Sequence, residues 1–250
     1  MGKLDGKVAL VTGSGRNIGR ATVLKLAAEG ANVVVNARSN QEEAESVAEE
    51  ARQLGVKALP VLADVSNKEQ VDSMVNMAMS EFGKVDILIN NAAIRPHKPF
   101  TDLTLEDWEL VQDVVLNGAF YATRAVINSM VDNNYGRILF FTGEGAFKGG
   151  SGRAHVSAAK MGLVGLARGL ASEFAGSNIR VNVVSPGSID TSRAHPEWYA
   201  GTPPNTEGIP LGRQGQVDEI AATCLFLVSD DGGFITGQTL HVNGGAGYYG

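Results

Sequence analysis

The sequence predicts an α/β protein: a doubly wound parallel sheet with helices on both faces, three layers in all. Three observations carry this expectation. Short apolar, β-branched runs alternate with longer tracts of helical period along the chain. The short runs are apolar throughout, as strands covered on both faces must be. No linker or change of composition divides the 250 residues, so 1–250 reads as a single domain.

The elements follow in order. Val8–Val11 is the first strand, and a glycine-rich turn leads from it into a helix over 18–29, stopped by Gly30. The second strand covers 33–35. A helix over 41–54, charged on one face and small or apolar on the other, ends at Gly55. A third strand at 58–63, a helix at Lys68–Phe82 stopped by Gly83 and a fourth strand at 85–90 repeat the unit. One long helical tract spans 105–131. A strand at 137–142 and a glycine-rich turn precede a helix over 157–175. A strand at 179–185, a late helix at Val217–Val228 and a last strand at Thr239–Val242 complete the pattern. Right-handed crossovers make such an alternation doubly wound.

Composition excludes several functions. The formal net charge is -6, so there is no basic footprint for nucleic acid. Cys224 is the only cysteine, which rules out an intramolecular disulfide and a cysteine-based metal site; within ATCLFLV it reads as a buried small hydrophobe. No apolar run approaches the roughly 20 residues of a membrane helix, and the start shows no leader pattern. A soluble cytoplasmic protein is expected. The tract at 195–215, rich in Pro, Gly and Thr, reads as part of a mobile substrate loop at about 190–215.

VTGSGRNIGR, between the first strand and first helix, carries Gly13, Gly15 and Gly19. A turn this tight needs residues without a β-carbon, and the helix start behind it offers free N–H groups to a phosphate. Further motifs follow: ADV at 63–65, NNAA at 90–93, Asn117 in LNGAF, and PGSIDT at 186–191. In this order and spacing they resemble the short-chain dehydrogenase/reductase family along nearly the whole chain. The turn matches T-G-x-x-x-G-x-G through Thr12, Gly13 and Gly19, with Asn17 in place of the middle glycine. Asparagine tolerates left-handed backbone better than most residues. The resemblance implies a Rossmann fold and a nicotinamide dinucleotide held by Gly13, Arg16, Asn17, Ile18, Gly19, Asp64, Val65, Asn91, Lys160, Ile189 and Thr191.

A carboxylate after the second strand would accept the ribose hydroxyls of NAD. Here the position is Ala37, and no acid lies within 33–39. Arg38 follows it, and Arg16 sits in the glycine turn; two guanidinium groups suit a 2′-phosphate. NADP is therefore the expected cofactor.

The family resemblance also implies a serine and a tyrosine on the substrate oxygen, a lysine four residues after the tyrosine, and an asparagine. Lys160 and Asn117 are present. Val156 stands at the tyrosine position and Gly143 at the serine position, and neither can move a proton. Glu144 and His155, beside the two positions, are candidate acids or bases, against readings as a loop glutamate and a structural histidine. Lys160 either polarises a carbonyl or only binds the ribose. Arg95 and His97, in the loop after the fourth strand, and Trp198 and Tyr199, in the late loop, are candidate substrate contacts. The space beside Gly143 and Val156 is itself a candidate pocket. Three functions compete: an oxidoreductase of small carbonyls or alcohols with an altered proton relay, a non-redox hydrolase or lyase, and an NADP(H) sensor. The helical tracts at 105–131 and 157–175 are apolar or small on more than one face, and with the resemblance they imply a homotetramer. Tyr248 and Tyr249 would then reach a neighbouring subunit.

Overall fold

The computed structural model describes residues 2–191 and 206–249. Seven strands form one parallel sheet in the order β3-β2-β1-β4-β5-β6-β7. They are β1 Val8–Val11, β2 Asn32–Ala37, β3 Ala58–Leu62, β4 Ile87–Asn90, β5 Gly136–Phe141, β6 Ile179–Pro186 and β7 Thr239–Val242. Among the described residues the α-helices are α1 Asn17–Ala28, α2 Gln41–Gln53, α3 Lys68–Phe82, α4 Leu105–Gln112, α5 Gly118–Asp132, α6 Glu144–Lys148, α7 Ala154–Phe174 and α8 Val217–Val228.

The continuous apolar runs feed two cores, one on each face of the sheet. Leu10, Val34, Leu88, Ile138, Phe140 and Val183 point to one side, where α3, α5 and α7 supply Met74, Val126 and Leu163. Their sequence neighbours Ala9, Val11, Val33, Ile87, Leu139 and Val184 point to the other, against Leu26 of α1, Val47 of α2 and Ile220 of α8. Period-two alternation within an all-apolar run thus builds three layers. Each fully buried Val, Leu or Ile contributes about 1.5–3 kcal/mol of transfer free energy.

Strand order reverses between β1 and β4. Beyond their carboxyl ends lies the crevice where such sheets place ligands. Helix starts are fixed by side chains: Asn40, Asn67 and Thr104 each accept a hydrogen bond from the backbone N–H three residues on. Two details depart from the sequence pattern. The 105–131 tract contains a π turn, Asp113–Asn117, between α4 and α5. The glycine-rich turn after β5 contains the short helix α6. Among the described residues no helix is long and apolar enough to cross a membrane, and no group of His, Cys, Asp or Glu is arranged for a metal. Cys224 is buried, as expected of a small hydrophobe.

Candidate active site at the carboxyl ends of the strands

The glycine turn is held from three sides. Gly13 has φ 61° and Asn17 has φ 50°, so asparagine adopts the left-handed backbone expected of it. A β-carbon on Gly19 would lie 2.5 Å from the Gly13 carbonyl oxygen and 2.7 Å from Asn91 Nδ2, so only glycine fits. Asn36, buried at the end of β2, accepts from Gly13 N at 3.0 Å and donates through Nδ2 to the carbonyls of Ala37, Val61 and Ala63. Ser14 Oγ accepts from Asn36 N and donates to the Val11 carbonyl. Thr12 Oγ1 accepts from the backbone N–H groups of Asn91 and Ala92.

Asn91 serves this scaffold too. Its Nδ2 donates to the Thr12 and Gly13 carbonyls at 2.9 and 2.8 Å, so its side chain braces the turn and does not face a ligand with that group. Arg16 is the N-cap of α1, without a side-chain cap and with no acid in the first turn. The start of α1, without a side-chain cap from Arg16, points its dipole at a cradle that a β-carbon at Gly19 would fill. A dinucleotide pyrophosphate fits these residues.

Further along the crevice, Ala37 is buried while Arg16 and Arg38 are exposed. Asp64 Oδ1 accepts from Ser66 N and Ser66 Oγ, at 2.9 and 2.6 Å, and shapes the turn after β3. Val65 is buried beneath Gly118, whose α-carbon position tolerates no side chain: a β-carbon would lie 2.8 Å from the Val65 carbonyl oxygen. Ile189 pairs with Gly215 in an isolated parallel bridge, which ties the segment after β6 to the start of α8. Thr191 is half-buried. Trp198 and Tyr199 lie outside the described residues, as does most of the 195–215 loop.

Lys160 is 5% exposed and donates from Nζ to the Phe141 carbonyl at 2.6 Å. Burial, with the Arg95 charge adding to it, pushes its amine down to about 7. Val156, one turn earlier on α7, is 7% exposed and packs in the core on the α7 face of the sheet. Gly143 has extended backbone, and among the described residues a β-carbon there would meet only the Pro186 carbonyl oxygen, at 3.9 Å. Asn117 closes the π turn and donates to Asp113 Oδ1 at 2.7 Å.

Glu144 begins α6. Its Oε1 accepts from the Tyr249 hydroxyl at 3.4 Å. Tyr249, Phe147 and His241 form an aromatic cluster, with ring centroids 4.6 to 5.5 Å apart. Tyr249, expected at a neighbouring subunit, thus touches its own chain beside Gly143, while Tyr248 is exposed. Burial holds the His241 imidazole below its usual value. Sequence spacing gives no hint of this cluster, because 105 residues separate Tyr249 from Glu144.

His155 is fully buried, and neither ring nitrogen has a hydrogen-bond partner among the described residues. Burial lowers its pKa, opposed by the charge of Asp107. The expected alternative, a structural histidine, describes this environment better than a solvent-linked acid or base. Arg95 and His97 are exposed, and their loop docks on the turn before α7. Arg153 Nη1 donates to the Arg95 carbonyl at 2.6 Å, and Lys98 N to the Gly152 carbonyl at 3.0 Å. The His97 ring lies against Gly152, whose φ of +66° and lack of a β-carbon permit the contact.

The crevice, the glycine cradle and the buried lysine belong to a doubly wound α/β scaffold with a ligand crevice at its switch point. Comparisons with known proteins place it more narrowly. Residues 13–247 match the family model described as Enoyl-(Acyl carrier protein) reductase. The chain is 39% identical over 246 residues to the 3-oxoacyl-[acyl-carrier-protein] reductase of Synechocystis, covering 98% of both. It is 39% identical over 246 residues to the (2S)-[(R)-hydroxy(phenyl)methyl]succinyl-CoA dehydrogenase subunit BbsD of Thauera aromatica, covering 97% of each. A solved structure of NAD+-bound xylitol dehydrogenase superposes with TM-score 0.90 at 33% identity, over 97% of this chain and 100% of that one. The chain belongs to the short-chain dehydrogenase/reductase family of oxidoreductases.

Proposed function

We propose that the chain is an NADP(H)-dependent oxidoreductase of a small carbonyl or alcohol substrate, working with an atypical proton relay. The cradle around Gly13 and Gly19 at the β1/β4 switch point carries the cofactor part of this reading. The α1 N-terminus would hold the pyrophosphate, Asp64 and Val65 would border the adenine, and Lys160, Ile189 and Thr191 would hold the nicotinamide end. Ala37 between the exposed Arg16 and Arg38 supports NADP. A nicotinamide held there would supply hydride transfer chemistry to the substrate carbon.

The protein must then manage one proton at the substrate oxygen. Val156 and Gly143 carry none. Lys160, one turn beyond Val156 on α7 and hydrogen-bonded to the carbonyl of Phe141, is a buried titratable group, and an amine near 7 exchanges its proton in the neutral range. Its ammonium polarises a carbonyl, directly or through water, and Asn117 shapes the wall beside it. Glu144, at the mouth beside Gly143, is the second group able to carry the proton. Arg95 and His97 stand at the outer rim, Gly143 borders the space inside it, and Val156 packs behind with the core. The acyl-thioester enzymes among the relatives make a 3-oxoacyl thioester the first substrate to try.

A second reading rests on the same vacancy at 143 and 156: a protein that binds NADP(H) as a sensor, or a non-redox hydrolase or lyase. One experiment separates them. The protein is titrated with NADPH, then given a panel of 3-oxoacyl thioesters, ketones and aldehydes while absorbance of the reduced cofactor is followed. Consumption supports the oxidoreductase. Tight binding without consumption favours the second reading, and absence of binding defeats both. The exposed apolar residues Leu105 and Leu110 of α4, Phe120 of α5 and Met161 of α7 support a homotetramer built through these helices.

A further inference from the structure

No acid stands at the end of β2, but one approaches that end from α2. Glu43 stands in the first turn of α2, six residues beyond Ala37. A β-carbon built on Gly15 would lie 3.1 Å from Glu43 Cβ, 3.3 Å from Glu43 Oε2 and 3.7 Å from Ala37 Cβ. The carboxylate therefore sits in the nook between the glycine turn and the end of β2. In doubly wound sheets that nook receives the adenosine ribose.

The carboxylate is there for no evident structural reason. Glu43 occupies the position from which an acid closes a capping box with its N-cap residue. In α4 and α8 the corresponding acids, Asp107 and Glu219, do close it. In α2 the bond runs one way, from Glu43 N to Asn40 Oδ1 at 3.1 Å. Among the described residues the half-buried Glu43 carboxylate takes no hydrogen bond or ion pair and leans on Gly15 instead.

We propose that Glu43 is a cofactor-specificity residue: its carboxylate accepts a hydrogen bond from the 2′-hydroxyl of NAD(H) and repels the 2′-phosphate of NADP(H). It opposes Arg16 and Arg38 and narrows the margin by which they favour NADP(H). The inference rests on the dinucleotide reading of the site. A carboxylate beside a phosphate is a like-charge contact, which is costly where water is partly excluded.

The test measures dissociation constants for NADPH and NADH by nicotinamide fluorescence, in the unmodified protein, Glu43→Gln and Glu42→Gln. Glu43→Gln keeps the backbone N–H that caps on Asn40, so α2 starts as before. The expected result is NADPH binding tighter by about tenfold and NADH binding weaker by about threefold. Glu42→Gln removes the same charge from an exposed neighbour and changes both affinities by less than about twofold. An unchanged NADPH-to-NADH ratio in Glu43→Gln, or equal effects of the two variants, overturns the inference and leaves the dinucleotide reading intact. Failure of the unmodified protein to bind either nucleotide overturns both.

Discussion

Replacing Lys160 with methionine tests the electrostatics of the site through stability alone. The folded amine sits at about 7, against about 10.4 in an unfolded chain. The gap of roughly 3.4 units corresponds to at most about 4–5 kcal/mol of desolvation cost, at 1.36 kcal/mol per unit. The sign follows from proton counts. Below about pH 7 both states hold the proton, so the full cost stands. Between about 7 and 10.4 the unfolded chain holds a proton that the folded chain lacks, so stability rises with pH. Relative to Lys160→Met, the unmodified protein should gain up to about 1.4 kcal/mol per pH unit there, or roughly 2.3 kcal/mol from pH 7 to 9, since the folded amine is still half protonated at about 7. Cys224 acts in the opposite sense: burial pushes its thiol up to about 12, so its contribution is lost as pH rises above about 8.5. It is present in both proteins and cancels in the difference. The assay is urea unfolding of the nucleotide-free proteins at half-unit steps from pH 6 to 9. Parallel curves for the two proteins would refute a buried, depressed Lys160.

Three further outcomes are expected. Asn36→Ala removes a buried amide that joins the glycine turn to β2 and β3, and should cost about 2–4 kcal/mol in urea unfolding while weakening NADPH binding; a loss below about 1 kcal/mol would show that the network is dispensable. Arg38→Asp should shift binding from NADP toward NAD by at least about tenfold, and equal affinity for both in the unmodified protein would defeat the NADP assignment. Sedimentation equilibrium should give a tetramer, with Phe120→Asp shifting it to smaller species; a monomeric unmodified protein contradicts the assembly.

Much of the fold was legible because its signals are local. A strand buried on both faces declares itself by composition, and Gly30, Gly55 and Gly83 mark helix ends by their positive φ. The glycine cradle was legible for the same reason, down to the left-handed Asn17. What escaped depends on distant pairs. Nothing in VVVNA announces that Asn36 will tie three segments together, because its partners lie at 13, 61 and 63. Tyr249 finds Glu144 only once β7 has been laid beside β6. Glu43 reads as one acid among several on an exposed helix until the fold presses it against Gly15. The π turn at Asp113–Asn117 adds one residue to a helical turn without changing the apolar period enough to be seen. His155 looked available beside the vacant position, yet a step of about 100° around the helix separates it from Val156, and it is buried.

If Val156 and Gly143 leave the proposed cofactor site without proton donors, Gly143→Ser combined with Val156→Tyr should restore them. The extended backbone at Gly143, and the room around it among the described residues, admit a serine. Tyrosine at the packed Val156 costs about 1–3 kcal/mol, so folding and NADPH affinity are verified first. NADPH consumption is then followed at pH 7 with an acetoacetyl thioester and with simple ketones. The account predicts that the double variant turns over simple ketones at least about 100-fold faster than the unmodified protein, the scale of a positioned general acid. Equal rates on those ketones, with NADPH bound equally well, would contradict it.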